Sequence, residues 1–257
     1  MTARILPLTG VENFRDYGDY TGRGGRVAAG RLYRSAHHGK ATSEDLAVIG
    51  GLGLAAVVDL RRPMERDAEP TPRPPGFAGQ VIECDLGDRA EAPHVAFLRE
   101  TDLTPDSVTA FFMDYYAHAP FEPRHLELFR RYFEALVTVD GPVLIHCTAG
   151  KDRTGLLAAL THHVLGVAHD DIIADYLLTN QAARLEARAP TVAENLEKML
   201  GKRPSDVAVH AFLGVEAAYL ERALQAIAEA RGSLDAYLAD LGLDAAAAET
   251  LRARLIS

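Results

Sequence analysis

An α/β fold with a central, mostly parallel sheet flanked by helices, and with a helical C-terminal half, is predicted by three features of this 257-residue sequence. Short β-branched and aliphatic runs alternate with helical periodicity up to Leu165. Within that stretch, a strand, a tight loop and a helix follow one another from Val143 onward. Beyond it nearly every segment reads as helix.

In chain order, Gly30–Ser35 (GRLYRS) and Ala55–Leu60 (AAVVDL) read as strands, with a helix over Ser43–Gly51 between them. Thr42 or Ser43 caps that helix, since Glu44 and Asp45 follow where the helix dipole favours acids. The Pro-rich stretch Glu69–Gly76 interrupts regular structure. Phe77–Leu86 reads as a strand and feeds a polar segment, Gly87–Thr104, with no clean period. Long irregular connections of this kind are often lids, so residues 87–118 are a lid candidate. Thr104–Ala117 and Glu122–Thr138 have helical periodicity. Gly141-Pro142 then turns the chain into the buried strand Val143–Ile145, and Gly155–Leu165 is helical. Helices follow over Asp170–Ala187, Ala193–Leu200 and Ser205–Ala230, with short pieces after Ser233 and Asp244. With no internal repeat and no clear linker, residues 1–257 are expected to form one domain.

Composition narrows the function. The chain is 48% hydrophobic and 25% charged, the profile of a globular protein, and 27 basic against 36 acidic residues give a net charge of −9. That balance, with no basic run, argues against a general nucleic-acid binder. No apolar stretch reaches the length of a membrane span. The N-terminal MTARILPLTG lacks the pattern of a secretory signal, so the cytoplasm is the expected compartment, with signal-independent export left open. Cys84 and Cys147 are too few for a disulfide scaffold or a four-thiolate zinc site, which favours a reducing compartment and a reactive thiol. There is no Trp.

The chemistry concentrates in Val143–Gly155, VLIHCTAGKDRTG. Cys147 leaves a buried strand, five residues follow, and Arg153 stands at the start of the next helix. Such a loop turns successive N–H groups inward, a nest for an anion at the positive end of a helix. Thr148, Ala149, Gly150 and Lys151 form its floor, and Gly150 permits close backbone approach. Arg153 adds a planar fork suited to two phosphate oxygens. The same positive surroundings favour Cys147 as an attacking thiolate.

HCTAGKDRTG resembles the His-Cys-x5-Arg-Ser/Thr signature of the cysteine-dependent protein tyrosine phosphatase superfamily, agreeing at His146, Cys147, Gly150, Arg153, Thr154 and Gly155. Asn13–Gly18, Gly30–Ala36 and Val57–Arg61 with Glu65 resemble the N-terminal blocks of its microbial tyrosine and lipid phosphatases, whose loop reads His-Cys-x-x-Gly-Lys-Asp-Arg. The resemblance covers most of the chain. It implies a tyrosine phosphatase-like fold and a reaction without metal or cofactor, in which Cys147 attacks phosphorus to give a phosphocysteine and Arg153 holds the equatorial oxygens. His146 orients the loop, and Thr154 donates to sulfur when it departs. Many members take the leaving-group proton from an Asp in a Trp-Pro-Asp loop, which a chain without Trp does not have. The role passes by resemblance to Asp152, whose proton must be kept against Lys151 and Arg153 on either side. Asp114, Asp85 and Asp88 are the fallbacks. Phosphotyrosine is the expected substrate, with phosphoserine and phosphothreonine beside it, and phosphoinositides join the list because Lys151 adds a second cation at a position that is basic in the phosphoinositide phosphatases of the superfamily. Arg61 and Glu65 are candidates for the pocket rim. Cys84 is a candidate redox partner of Cys147 if their strands are neighbours. Phe111, Phe112, Tyr115 and Tyr116 are either a packed helix face or a wall of the lid. A rhodanese-type sulfurtransferase and a non-catalytic phosphate-binding module are the alternatives.

Overall fold

The computed structural model describes residues 4–86, 93–101 and 103–257. In the N-terminal half, strands β1 (Arg15–Asp16), β2 (Thr21–Gly22), β3 (Gly25–Arg26) and β4 (Leu32–Ser35) precede α1 (Ser43–Gly51). Then come β5 (Ala56–Asp59), α2 (Pro63–Ala68), β6 (Gln80–Ile82), α3 (Pro93–Glu100), α4 (Pro105–His118) and α5 (Pro123–Thr138). Strand β7 (Val143–His146) leads into α6 (Asp152–Val164), and seven helices follow: α7 (His169–Leu177), α8 (Thr179–Ala182), α9 (Leu185–Leu200), α10 (Asp206–Leu213), α11 (Ala217–Arg231), α12 (Leu234–Asp240) and α13 (Ala245–Leu255).

Five strands form one sheet in the order β1-β4-β7-β5-β6, parallel throughout except for the β1–β4 pair, as the expected fold class requires. Every residue of β4, β5 and β7 is buried, which is why these strands read as short apolar runs and not as alternating ones. Alternation survives in which face each side chain joins. Tyr33, Val57 and Leu144 pack with Leu8, Phe14 and Ile49 on one side of the sheet, whereas Leu32, Ala56, Val58, Val143 and Ile145 join the larger cluster under α4, α5 and α6 on the other.

Helix α1 falls where expected. The Thr42 hydroxyl accepts from the Asp45 N–H, and the Asp45 carboxylate accepts from the Thr42 N–H in return. Other boundaries moved. Only three residues of Phe77–Leu86 pair, because β6 is an edge strand with β5 as its single neighbour. Two helices were not anticipated: α2, which opens on Pro63, and α3, inside the segment read as irregular. The helix expected over Asp170–Ala187 breaks around α8, with Arg184 at φ +51, and Ser205–Ala230 is divided at Gly214 into α10 and α11. Residues 87–92 of the lid candidate, including Asp88, lie outside the described residues.

The parallel strands run in one direction, so their C-terminal ends lie side by side, with Ser35 and Asp59 both in register with His146. In open α/β sheets that edge is where ligands bind. Two segments leaving it, Leu60–Glu65 and Cys147–Lys151, carry Arg62, Glu65 and the loop residues of the site, and helices pack over them to complete the lining.

Candidate active site

The loop after β7 is fixed from behind. Gly150 sits at φ +67, and a Cβ there would lie 2.3 Å from the Ser35 carbonyl oxygen, so both conformation and space demand glycine. Asn13, itself at φ +58, donates its amide to the carbonyls of Gly150 (2.8 Å) and Ala149 (3.2 Å), and Arg34 donates to the Gly150 carbonyl at 3.1 Å. With these carbonyls tied outward, the loop amides are left for the inner side, and the Gly150 N–H donates to Cys147 Sγ at 3.2 Å. Behind Asn13, Arg15 and Arg34 converge on Asp175 at 3.4 and 2.7 Å, all fully buried. Burial, then the neighbouring Arg34, lowers Arg15 to about 10, and Asp175 works against both.

Arg153 reaches back across the loop to Glu65, which accepts from its two terminal nitrogens at 2.6 and 2.7 Å. Burial alone would lower the Arg153 value, but the Glu65 charge and then Cys147 outweigh it and hold the guanidinium charged. For Glu65, burial would raise the carboxyl, yet Arg153 keeps it well below the usual carboxylate range. Glu65 therefore stands at the site. Arg61, its companion as a rim candidate, does not: it is 1% exposed, clasps Asp59 at 2.7 Å and ties down the Thr71 hydroxyl and the Glu69 carbonyl. Arg61 and Glu65, four positions apart, take different directions because α2 begins between them.

Asp152 opens α6 and lines the cavity. Its Oδ1 accepts the Tyr116 hydroxyl at 2.9 Å, and that hydroxyl meets the Tyr176 hydroxyl at 2.6 Å. Oδ2 has no partner among the described residues. Lys151 is turned away from the anion nest. Its ammonium donates to the carbonyls of Phe212 (2.7 Å) and Gly214 (3.1 Å) at the end of α10 and lies 4.3 Å from the centre of the Phe112 ring. His146 is fully buried, 3.7 Å from Asp59 and stacked on His38, and burial lowers it to about 4, so the ring is neutral. The Thr154 hydroxyl is buried with no hydrogen-bond partner among the described residues.

Cys147, Thr148, Ala149, Lys151, Asp152 and Arg153 line a cavity of about 280 Å³. Phe111, Phe112 and Tyr115 of α4 and Phe212 and Leu213 of α10 add apolar lining, with the Phe112 and Phe212 rings 6.2 Å apart. Tyr116 lies beneath this lining and holds Asp152, so the aromatic run is at once a packed face and a pocket wall. The fallback acids Asp114 and Asp85 are exposed and paired with His118 and Arg66 instead. Cys84 and Cys147 are both free, and β5 separates the strands that precede them, so the condition for their pairing is not met. Sequence reasoning did not single out Asn13, Arg34 and Asp175 as site residues, nor His94 and Arg188 on the cavity wall, and it did not foresee that Tyr116 would hold Asp152. The Asn13–Gly18 and Gly30–Ala36 blocks held part of that signal.

A thiol at the end of a parallel strand, a loop amide turned onto its sulfur and a clamped arginine at the first turn of the next helix make up the candidate site. The family is shown by comparison: the model of the tyrosine phosphatase family matches residues 6–257, and the chain belongs to that family. It is 38% identical over 242 residues to a Cupriavidus necator protein named "Putative tyrosine-protein phosphatase", covering 91% of this chain and 83% of that one. It is 31% identical over 288 residues to the triple specificity protein phosphatase PtpB of Mycobacterium tuberculosis, covering the whole of both. Among solved structures, P. aeruginosa TpbA aligns over 81% of this chain and 88% of its own at 19% identity and a TM-score of 0.29. The protein is a phosphatase.

Proposed function

We propose that this phosphatase hydrolyses phosphotyrosine through a phosphocysteine intermediate, and that residues 1–257 act as one catalytic unit. The observation that carries this reading is the cavity of about 280 Å³, in which Cys147, Thr148, Ala149 and Arg153 share the lining with the aromatic side chains of Phe111, Phe112, Tyr115 and Phe212. Cys147 attacks phosphorus in line, the P–O bond to the tyrosine oxygen breaks, and Asp152 passes its proton to that oxygen. Water then attacks the phosphocysteine, Asp152 takes a proton from it, and the P–S bond breaks to return the thiolate. The loop amides and Arg153 hold the equatorial oxygens through both steps. Thr154, whose hydroxyl is otherwise unpartnered, donates to the departing sulfur.

Phosphoserine, phosphothreonine and phosphoinositides complete the proposed substrate list, below phosphotyrosine. The name of PtpB supports breadth, whereas the commitment of Lys151 to the α10 carbonyls removes the cation that argued for a lipid headgroup. Cytoplasmic residence belongs to the same reading, supported by two free cysteines. No helix among the described residues is long and apolar enough to cross a membrane.

The test is a parallel assay of phosphotyrosine, phosphoserine and phosphothreonine peptides and of phosphoinositides. It is run on wild type and on Cys147→Ser, with acid-quenched labelling of the wild type by radiolabelled phosphopeptide. Turnover fastest on phosphotyrosine, lost in the variant, with label on Cys147, is expected. Activity surviving in Cys147→Ser sinks the covalent mechanism.

A further inference from the structure

Four cations line the cavity: Arg62, Lys151, Arg153 and Arg188. Three have a carboxylate within 4 Å. Arg62 pairs with Glu122 at 3.0 Å, Lys151 with Asp152 at 3.9 Å and Arg153 with Glu65 at 2.6 Å. Arg188, on α9 and half-buried, has none among the described residues. Its one hydrogen bond there is a long one, 3.4 Å, to the Ala183 carbonyl. Among the described residues the cavity wall therefore carries one positive charge with no carboxylate beside it, contributed by α9 and not by the loop after β7. A partly exposed guanidinium with most of its donors free of protein partners is suited to taking an anion in place of water.

We infer that Arg188 binds a second anionic group of the substrate, a carboxylate or phosphate on the peptide flanking the phosphotyrosine, and that it sets sequence preference. The inference rests on the phosphotyrosine reading above. A peptide is favoured over an inositol headgroup because Phe111, Phe112, Tyr115, Phe212 and Leu213 present apolar surface. That surface suits an aryl ring and leaves ring hydroxyls unpaired. The planar fork of Arg188 suits either anion.

The experiment compares kcat/KM on phosphotyrosine peptides flanked by glutamate or by alanine, in wild type, Arg188→Gln and Arg188→Glu, at low and high salt. The wild type is expected to favour the glutamate peptide, less so at high salt. Arg188→Gln should shrink that preference roughly tenfold, the worth of one charge-assisted hydrogen bond. Arg188→Glu should favour a lysine-flanked peptide. A preference ratio that is the same in all three proteins overturns the inference alone, as does a loss confined to an inositol bisphosphate. No turnover of any phosphotyrosine peptide by the wild type sinks the phosphotyrosine reading and this inference with it.

Discussion

Glu65 and Arg153 face each other across the phosphate loop with both guanidinium termini on one carboxylate, at 2.6 and 2.7 Å. The pair fixes where the arginine fork stands before substrate arrives. Glu65→Gln keeps the shape and loses the charge. It should lower kcat/KM on p-nitrophenyl phosphate by roughly ten- to a hundredfold, since small misplacements of a clamp cost that much. Breaking a buried pair by removing one partner costs about 3 kcal/mol of stability. The Glu65 carboxyl is depressed in the folded state, so its contribution is fully present above the ordinary value of 4.5 and is lost as pH falls below it. Denaturant titrations at stepped pH should show a constant gap between wild type and variant above that value and a narrowing one below.

The buried histidine next to the nucleophile makes the fold acid-sensitive at milder pH. His146 has an ordinary value of 6.5, lowered to about 4 by burial, so the unfolded chain takes up a proton that the folded one refuses. Stability is complete above 6.5 and declines as pH drops from there toward 4. His125, lowered by burial to about 3, adds to the same slope. Comparing melting temperatures at pH 7 and pH 5 should give a smaller drop for His146→Gln than for wild type. Equal drops would show that His146 is not the group responsible.

Tyr116 holds the proposed acid through one hydroxyl. Tyr116→Phe should slow alkyl phosphates by roughly three- to thirtyfold while affecting p-nitrophenyl phosphate much less, because only the poor leaving group needs the proton. In an Asp152→Asn background the same change should add almost nothing, the signature of two residues acting as a unit. Additive losses on both substrates would return Tyr116 to a packing role.

Asn13 lies 134 positions before Cys147 in the sequence, yet it donates to two carbonyls of the nest. Asn13→Ala leaves those carbonyls partly unsatisfied and the loop free to rotate. We expect vanadate affinity and kcat to fall together by roughly tenfold or more, with the far-ultraviolet circular dichroism unchanged. Gly150→Ala should be worse on both counts, since the added carbon meets the Ser35 carbonyl at 2.3 Å.

The strand-to-helix core of the site was legible because its signals are local: an apolar run, a cysteine, a glycine and an arginine at fixed spacing. Helix α1 was legible for the same reason, with its cap and first-turn acids adjacent in sequence. The rest depends on contacts that spacing does not encode. Arg61 and Glu65 looked alike until Pro63 started a helix between them. Lys151 read as a phosphate ligand because nothing near it in sequence announces the carbonyls of Phe212 and Gly214. The pairing of Cys84 with Cys147 hung on strand order, and β5 inserted between their strands. Helix α3 was hidden because the polar residues around it mask its short apolar face.

Lys151 ties the loop to Gly214, and Asn13 ties it to the start of the chain. The five-residue stretch Cys147–Lys151 is thereby anchored to points about two hundred residues apart. The catalytic segment cannot be excised as a minimal enzyme. A fragment that keeps β7 and α6 but drops either terminal region should hold the signature and lose the turnover. Phosphatase activity in this protein is thus a readout of whether the whole chain has assembled, and substitutions far from the cavity will score in an activity screen as though they lay within it.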